Sequence, residues 1–112
     1  MAIEFNGKTI ATTETGFLVD DKDWSEDLAR HMAGQANIEL GERHWDVLNY
    51  LRDEYFNNNN AQPNTRTIVK AMSKQWGEKI KSDHVYDMFN GDPSKIAGRI
   101  AGLPESRRKG GY

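Results

Sequence analysis

The sequence predicts a small α+β domain that is mainly α-helical, in which one β-hairpin precedes a set of amphipathic helices. Three observations lead to this fold class. Asn6-Gly7 stands between two short alternating segments, and both residue types tolerate the positive φ that a two-residue hairpin turn requires. Beyond residue 25, apolar side chains recur at helical spacing. The length of 112 residues, with 37% hydrophobic content, suits one compact domain.

The β pattern extends a little beyond the hairpin. After a turn at residues 13–16, residues 17–19 predict a third short strand, and acidic side chains end the pattern from Asp20 onwards. Trp24 follows, and we expect its large indole to pack the hairpin against the helices.

Two helices are predicted in the middle of the chain. Ser25 is expected to cap a helix that runs to about Gln35, because Glu26 and Asp27 in its first turn favour the positive helix end. The strongest helical pattern covers residues 41–57, and this helix is the expected centre of the core. Its inward face is formed by Trp45, Val47, Leu48, Leu51, Arg52, Tyr55 and Phe56.

A third helix is predicted over residues 64–76, with Pro63 near its first turn. Its apolar face is formed by residues four positions apart, namely Ile68, Met72 and Trp76. The opposite face carries positive charges at the same spacing, namely Arg66, Lys70 and Lys74. Such a division is typical of an amphipathic helix whose polar side is solvated or contacts an anionic partner.

Two short helices complete the predicted domain. Gly77 ends the third helix, and Ser82 is expected to cap a fourth helix that reaches Phe89. Asp92-Pro93 offers a capping carboxylate followed by a first-turn proline for the last helix, which ends at Gly102.

The last residues differ from the rest of the chain. Residues 1–103 are expected to form one domain, and residues 104–112, which have no periodicity, a flexible C-terminal arm. The net charge is −2, with 5 basic and 12 acidic residues in 1–60 but 10 basic and 5 acidic residues in 61–112. This asymmetry fits either an anionic partner of the second half or attraction between the halves, and composition leaves both open.

Composition excludes several classes of site. The absence of cysteine excludes disulfides, iron–sulfur clusters, thiolate zinc sites and a thiol nucleophile. His31, His44 and His84 lie on three different predicted helices, so we expect packing or helix-terminal roles and no metal site. No nucleotide-binding or nucleophile-elbow motif is present, and we expect no cofactor. Without a long apolar stretch or a signal-peptide pattern, the protein is expected to be cytoplasmic and free of membrane contact.

Three segments carry a resemblance to a known family. They are residues 42–52 (ERHWDVLNYLR), 63–70 (PNTRTIVK) and 91–104 (GDPSKIAGRIAGLP). Together with the hairpin at residues 6–8 and with residues 16–18, they resemble the DsrC/TusE family of sulfur-relay proteins over almost the whole chain. The resemblance implies an orthogonal helical bundle with an N-terminal hairpin, a helix-turn-helix-like element and a flexible C-terminal arm.

The resemblance also implies a chemistry that this sequence lacks. Family members carry persulfide sulfur on a penultimate cysteine of the arm, and DsrC has a second cysteine in the last helix. DsrC inserts its arm into dissimilatory sulfite reductase, whereas TusE acts in the relay that ends in 2-thiouridine of tRNA. Here Gly111 and Gly98 occupy the two cysteine positions. Because persulfide formation needs a sulfur nucleophile, we expect no thiol-based sulfurtransferase activity and assign no catalytic residue.

The binding candidates are mostly positively charged. The resemblance implies that Arg66, in the family's Pro-x-x-Arg pattern, faces the site where the arm folds back. Without the cysteines it is expected to meet an anion such as sulfite, sulfate or the chain's own terminal carboxylate. The partner- or anion-binding candidates are Arg66, Lys70, Lys74, Lys95 and Arg99 on the domain and Arg107, Arg108, Lys109 and Tyr112 on the arm.

Three functions are consistent with these residues. The first is a cysteine-free family member that acts as a partner-binding or regulatory module and docks on sulfite reductase or a relay protein. The second is a DNA-binding transcriptional regulator, whose helix at residues 82–89 would enter the major groove although it offers Asp83 and Asp87 and no Lys or Arg. The third is a non-transferring scaffold of a relay complex, which requires a thiol on the partner.

Overall fold

The computed structural model describes residues 2–104. Its two-stranded antiparallel sheet, β1 (Ala2–Phe5) and β2 (Lys8–Ala11), is followed by a short 3-10 helix (Asp21–Asp23) and by α-helices. In chain order these are α1 (Glu26–Gln35), α2 (Glu42–Asn57), α3 (Thr65–Trp76), α4 (Ser82–Phe89) and α5 (Pro93–Ile100). The order confirms the mainly α-helical fold behind a hairpin. None of these helices has the length and apolar content that crossing a membrane requires.

The hairpin forms as its turn residues predict. Asn6 has φ of 52° and Gly7 has φ of 75°, so both lie in the left-handed region that a tight two-residue turn uses. The register pairs Ile3 with Ile10, and both side chains are buried. Trp24 lines a shallow cavity together with Ile10, which places its indole between the hairpin and the helices.

The third strand predicted over residues 17–19 is reduced to one bridge, between Leu18 and Thr12. Phe17 and Leu18 are buried, but Val19 is 65% exposed. The apolar side chains at residues 17 and 18 are therefore buried beside the sheet without belonging to a third strand. The 3-10 helix begins soon afterwards, at Asp21, so too few residues remain to form a longer strand.

Side-chain caps fix the starts of two helices as predicted. Ser25 Oγ accepts a hydrogen bond of 3.1 Å from the Leu28 N–H at the start of α1. Asp92 caps α5 by accepting from the Ser94 N–H at 3.1 Å, with Pro93 in the first turn. Each bond satisfies a helix N–H that has no intrahelical partner.

The starts of α3 and α4 differ from the prediction by one residue. Asn64 is the cap of α3, since its Oδ1 accepts from the Thr67 N–H at 2.8 Å, and Pro63 lies before the helix. Lys81 occupies the cap position of α4 without a side-chain bond, and Ser82 is the first helical residue. The expectation that Ser82 caps this helix is therefore wrong, because the hydroxyl lies one residue too late in the chain.

The core is centred on α5, which packs against all four other helices. Its Ala97 and Ile100 are fully buried, as is Ala101 directly after it. The core residues of α2 and α3 are Val47, Leu48, Leu51, Ile68 and Met72. Phe56, predicted on the inward face of α2, is 44% exposed, because it lies in the last turn of that helix, near its C-terminal end.

Candidate functional site

Two side chains hold the C-terminal end of α5. Trp24 Nε1 donates to the Ile100 carbonyl at 2.8 Å, and Arg52 Nη1 donates to the Ala101 carbonyl at 2.7 Å. The Arg52 guanidinium lies 3.7 Å from the centre of the Trp24 ring and 4.9 Å from that of Phe56. Burial lowers the pKa of Arg52, while Asp21 opposes that shift. Carbonyls at a helix end lack intrahelical donors, so these two bonds satisfy them and fix the helix end.

A third side chain holds the point where the chain leaves the domain. Gln62 Nε2 donates to the Pro104 carbonyl at 2.9 Å. Leu103, the residue before, is 2% exposed and is therefore part of the core. Together, Trp24, Arg52 and Gln62 bind three carbonyls around the end of α5, and we call these three residues the exit clamp.

Gly102 permits the exit clamp to form. Its φ is +77°, and a Cβ at this position would lie 2.3 Å from Trp24 Cδ1. The indole therefore packs directly on the glycine backbone. A left-handed residue also lets the chain reverse, so that the Leu103 N–H reaches the Gly98 carbonyl at 3.0 Å, as is common at helix C-termini.

Gly98 lies inside α5 and is buried. Among residues 2–104, a Cβ built at this position would meet no atom within 4 Å apart from the backbone of its own helix. The position therefore has room for a small side chain such as that of alanine or cysteine. The glycine is thus not required by close packing.

The basic residues predicted as binding candidates fall into separate groups. Arg66, Lys70 and Lys74 lie on the exposed face of α3. Toward residues 2–104 none of the three forms a salt bridge or a side-chain hydrogen bond. Lys95 on α5 is also exposed and has no such bond within the same part of the chain. Within residues 2–104, these four charges therefore have no partner, and their binding role remains a prediction.

Arg99 faces a different part of the molecule. Its Nη1 lies 3.4 Å from the Thr15 carbonyl, and its Cδ would lie 3.3 Å from a Cβ on Gly16. It lines a cavity of about 330 Å³ with Glu14 and Gln35, between the turn at residues 13–16 and α1. Arg99, one of the predicted binding candidates, therefore contacts the turn at residues 13–16, whereas Arg66, Lys70 and Lys74 lie on α3.

The helix pair α3 and α4 packs together across a short connection. The second helix exposes Asp83 and Asp87. It contains no Lys or Arg. A helix placed in the major groove lies beside phosphates and base edges that favour Arg, Lys, Asn or Gln. The charge of α4 therefore does not suit sequence reading.

The histidines have structural contacts. His44 Nδ1 accepts from the Gly41 N–H at 3.1 Å, and its Nε2 lies 2.8 Å from the Met88 carbonyl. Because Nδ1 accepts, Nε2 carries the proton and donates, so His44 links the start of α2 to α4. Among the described residues, no group of three or more His, Asp or Glu side chains is placed to hold a metal ion.

A protein-family model described as "DsrC like protein" matches residues 4–108 of this chain. The chain belongs to the DsrC family. Sulfurtransferase TusE of Pectobacterium atrosepticum is 43% identical over 92% of this chain and 94% of its own length. Sulfurtransferase TusE of Salmonella typhimurium is 41% identical over 90% of this chain and 93% of its own.

Solved structures agree with this assignment to the DsrC family. The NMR structure of Allochromatium vinosum DsrC matches with a TM-score of 0.84 and 39% identity over 96% of each chain. The crystal structure of the oxidized gamma-subunit of the dissimilatory sulfite reductase from Archaeoglobus fulgidus matches with a TM-score of 0.86 and 34% identity, over 96% of this chain and 98% of that one. The DsrC-like fold and the resemblance inferred from the sequence are both confirmed.

Part of the predicted site lies outside the described residues. This holds for Gly111, which takes the penultimate position of the DsrC pattern, and for the arm as a whole beyond Pro104. The arm candidates concerned are Arg107, Arg108, Lys109 and Tyr112. Their roles remain predictions.

Sequence reasoning missed the exit clamp in this DsrC-family chain. Helical spacing predicts only that Arg52 lies on the inward face of a helix, and it predicts no role for Gln62. One signal was present, because an arginine within an apolar stripe needs a partner for its charge. Its partner is a backbone carbonyl 49 residues later in the chain, and local spacing does not reveal such a contact.

Proposed function

We propose that this DsrC-family protein binds a protein partner of sulfur metabolism without carrying sulfur itself, and so acts as a binding or regulatory module. The observation that carries the proposal is Gly98, a glycine within an otherwise intact DsrC fold that has space for a side chain at that position. A persulfide carrier needs a thiolate, and the sequence contains no cysteine. Docking needs only the surface of the fold.

The surface supports a partner with negative charge. Arg66, Lys70 and Lys74 are exposed on one face of α3 without ion pairs toward residues 2–104. Charges of this kind steer a complementary surface and raise the association rate. The relatives are sulfurtransferases of the TusE type and sulfite reductase subunits, so we propose a relay protein or a sulfite reductase as the partner, met in the cytoplasm.

The partner is tested by affinity capture from the native host. Three baits are compared: the intact chain, a chain truncated after Pro104, and an α3 variant. In the α3 variant Arg66, Lys70 and Lys74 are each changed to Gln. We expect mass spectrometry to identify a relay protein or a sulfite reductase with the intact bait, in smaller amounts with the α3 variant. A matched control changes Lys8, Lys22 and Lys79, which are exposed outside α3, to Gln and so removes the same charge. Failure to capture any sulfur-handling protein with the intact chain would overturn the proposal.

The absence of sulfur transfer is tested separately. The protein is incubated with a small-molecule persulfide donor, and the intact mass is measured under non-reducing conditions. We expect no added sulfur on the natural chain, but an increment of one sulfur atom on Gly111→Cys. Addition of sulfur to the natural chain would show a carrier group other than cysteine.

A scaffold role is another candidate function, and it uses the same docking surface. It differs in requiring that a thiol on the partner pass its persulfide onward while bound to this chain. We expect a scaffold to raise the rate of transfer between two partner thiols in a reconstituted mixture. A binding module without scaffold function leaves that rate unchanged or lowers it.

DNA binding is a weaker alternative that rests on the exposed α3 charges alone. It predicts binding to duplex DNA with a steep dependence on salt and with preference for one sequence. The acidic side chains Asp83 and Asp87 of α4 argue against that preference. Fluorescence anisotropy with labelled duplexes at several salt concentrations distinguishes specific binding from phosphate contact.

A further inference from the structure

The cavity between the turn at residues 13–16 and α1, which Arg99 lines, has the size of a small-molecule site. Its volume is about 330 Å³, near the lower end of the usual range for such sites, roughly 300–1,000 Å³. A site of this size suits a small ligand. We call it the turn cavity, and its lining includes Ile3, Thr12, Glu14, Met32, Ala36 and Arg99.

Two lining residues of the turn cavity carry opposite charges that do not pair with each other. Arg99 is partly buried, and its hydrogen bond within residues 2–104 goes to the uncharged Thr15 carbonyl, at 3.4 Å. Glu14 is exposed, and neither Arg99 nor Glu14 forms a salt bridge toward residues 2–104. A charge that is partly withdrawn from water is stabilised by an opposite charge, so the cavity suits a ligand that supplies one to each residue.

A third polar group in the turn cavity is the hydroxyl of Thr12. This residue is 7% exposed, and its hydroxyl has no hydrogen-bond partner among residues 2–104. No fully buried side-chain oxygen of the described residues lacks a partner, so the Thr12 hydroxyl keeps access to the cavity that it lines. Because buried polar groups are normally hydrogen-bonded, a ligand oxygen in the cavity would complete the bonding of this hydroxyl.

The rest of the turn cavity is partly apolar, and one glycine holds Arg99 beside it. Ile3 and Met32 are buried at 9% and 4% exposure, and they offer contact to an apolar group. Gly16 has φ of +90°, and a Cβ at this position would lie 3.3 Å from Arg99 Cδ. The stem of Arg99 therefore packs over the glycine. This contact positions the guanidinium before a ligand arrives, which reduces the cost of binding.

We propose that the turn cavity binds a small α-amino acid with an apolar side chain. The carboxylate of the ligand pairs with Arg99 and accepts a hydrogen bond from the Thr12 hydroxyl. Its ammonium group pairs with Glu14, and its side chain contacts Ile3 and Met32. A simple anion fits less well because Glu14 repels it, and a neutral apolar molecule leaves Arg99 without an opposite charge. The site does not use the α3 charges, so it goes beyond the proposed function and does not depend on it.

The first test compares three ligands on the full-length chain by NMR. L-Leucine is titrated to about 10 mM, which nearly saturates a site of millimolar affinity, and we expect shifts at the amides of Thr13, Gly16 and Gln35. 4-Methylpentanoate lacks the ammonium group, and leucinamide lacks the carboxylate. Each should bind about tenfold more weakly than leucine, because each loses a charged hydrogen bond. Absence of shifts at these amides, or binding of either analogue as tight as that of leucine, would overturn the proposal.

The second test changes the cavity and keeps leucine as the probe. Arg99→Gln removes the charge but keeps a hydrogen-bond donor, and Thr12→Val replaces the hydroxyl by a methyl group. We expect leucine to bind about tenfold more weakly to the first variant and about threefold more weakly to the second, as the loss of a charged and of a neutral hydrogen bond implies.

The control for the second test is Lys79→Gln, which removes the same charge at an exposed position that does not line the turn cavity. It should bind leucine like the natural chain. The dispersion of each NMR spectrum shows whether the variant is folded. Folded Arg99→Gln and Thr12→Val chains that bind leucine as tightly as the control contradict the proposal, whatever the outcome of the partner capture.

Discussion

Two arginines on neighbouring elements show how differently one chain uses positive charge. Arg52 on α2 is half-buried, stacks 3.7 Å from the centre of the Trp24 ring and donates to the Ala101 carbonyl. Arg66 on α3 is exposed and forms no ion pair toward residues 2–104. The first arginine holds the end of α5, and the second has no ion partner among residues 2–104. A count of basic residues therefore overstates the charge available for binding.

The largest effect on stability is expected when Gly102, against which the Trp24 indole packs, receives a side chain. Gly102→Ala should lower the free energy of unfolding by about 3 kcal/mol, since it adds overpacking against Trp24 to the strain of a left-handed residue with a side chain. Urea denaturation measures this loss. The control is Gly34→Ala in α1, where a Cβ meets no described residue within 4 Å and where we expect a gain of about 0.5–1 kcal/mol. Equal effects at the two glycines would mean that the clamp is not tightly packed.

The comparison between the two arginines is tested directly by changing each to glutamine. Arg52→Gln should cost about 2 kcal/mol, because it removes a hydrogen bond from a charged donor and the stacking on Trp24. Arg66→Gln should change stability by less than about 0.5 kcal/mol, as is usual for exposed positions, while weakening partner capture. Both are measured by denaturation and by the capture experiment. If Arg66→Gln destabilises as much as Arg52→Gln, the distinction between the two charges fails.

A smaller effect of opposite sign is expected one turn before the exit clamp. Gly98→Ala should raise the free energy of unfolding by about 0.5–1 kcal/mol, because alanine is the better helix former and the position has space for its methyl group. Thermal denaturation of the variant and the natural chain measures the gain. A lower melting temperature would show that neighbouring atoms fill the space at this position.

The smallest effect concerns alkaline pH. Burial, followed by the negative charge of Glu54, raises the pKa of Tyr50. The folded chain then holds the phenol proton more tightly than the unfolded chain. This stability is present below the unfolded pKa of about 10 and is lost as pH rises through the folded pKa. We expect Tyr50→Phe to lose less stability than the natural chain above about pH 10, as judged from urea midpoints. Parallel loss in both chains would contradict this.

Local features of the fold could be predicted from the sequence because their causes are local. Asn6-Gly7 requires its turn, Ser25 caps α1, and Asp92-Pro93 starts α5. The errors are also local, since the hydroxyl of Ser82 lies one residue inside α4. Turn and cap chemistry acts over three or four residues, and a pattern of that length is visible in a sequence.

The candidate site could be predicted only in part, because its contacts join distant residues. Trp24 binds a carbonyl 76 residues away, and Gln62 binds one 42 residues away. The α3 charges were found from helical spacing alone, whereas the contact of Arg99 with the turn before residue 17 was not. Helical spacing assigns a residue to a face of its own helix, and the neighbour of that face depends on the tertiary fold.

The central position of α5 has a consequence for synthesis in the cell. This helix packs against each of the other four, yet it is the last of the described helices to leave the ribosome. The preceding helices therefore emerge with apolar surface that stays uncovered until α5 has been made. Folding of the nascent domain is expected to complete only after α5 has cleared the exit tunnel. A premature stop codon before α5 would leave the core residues of α2 and α3 without the helix that covers them.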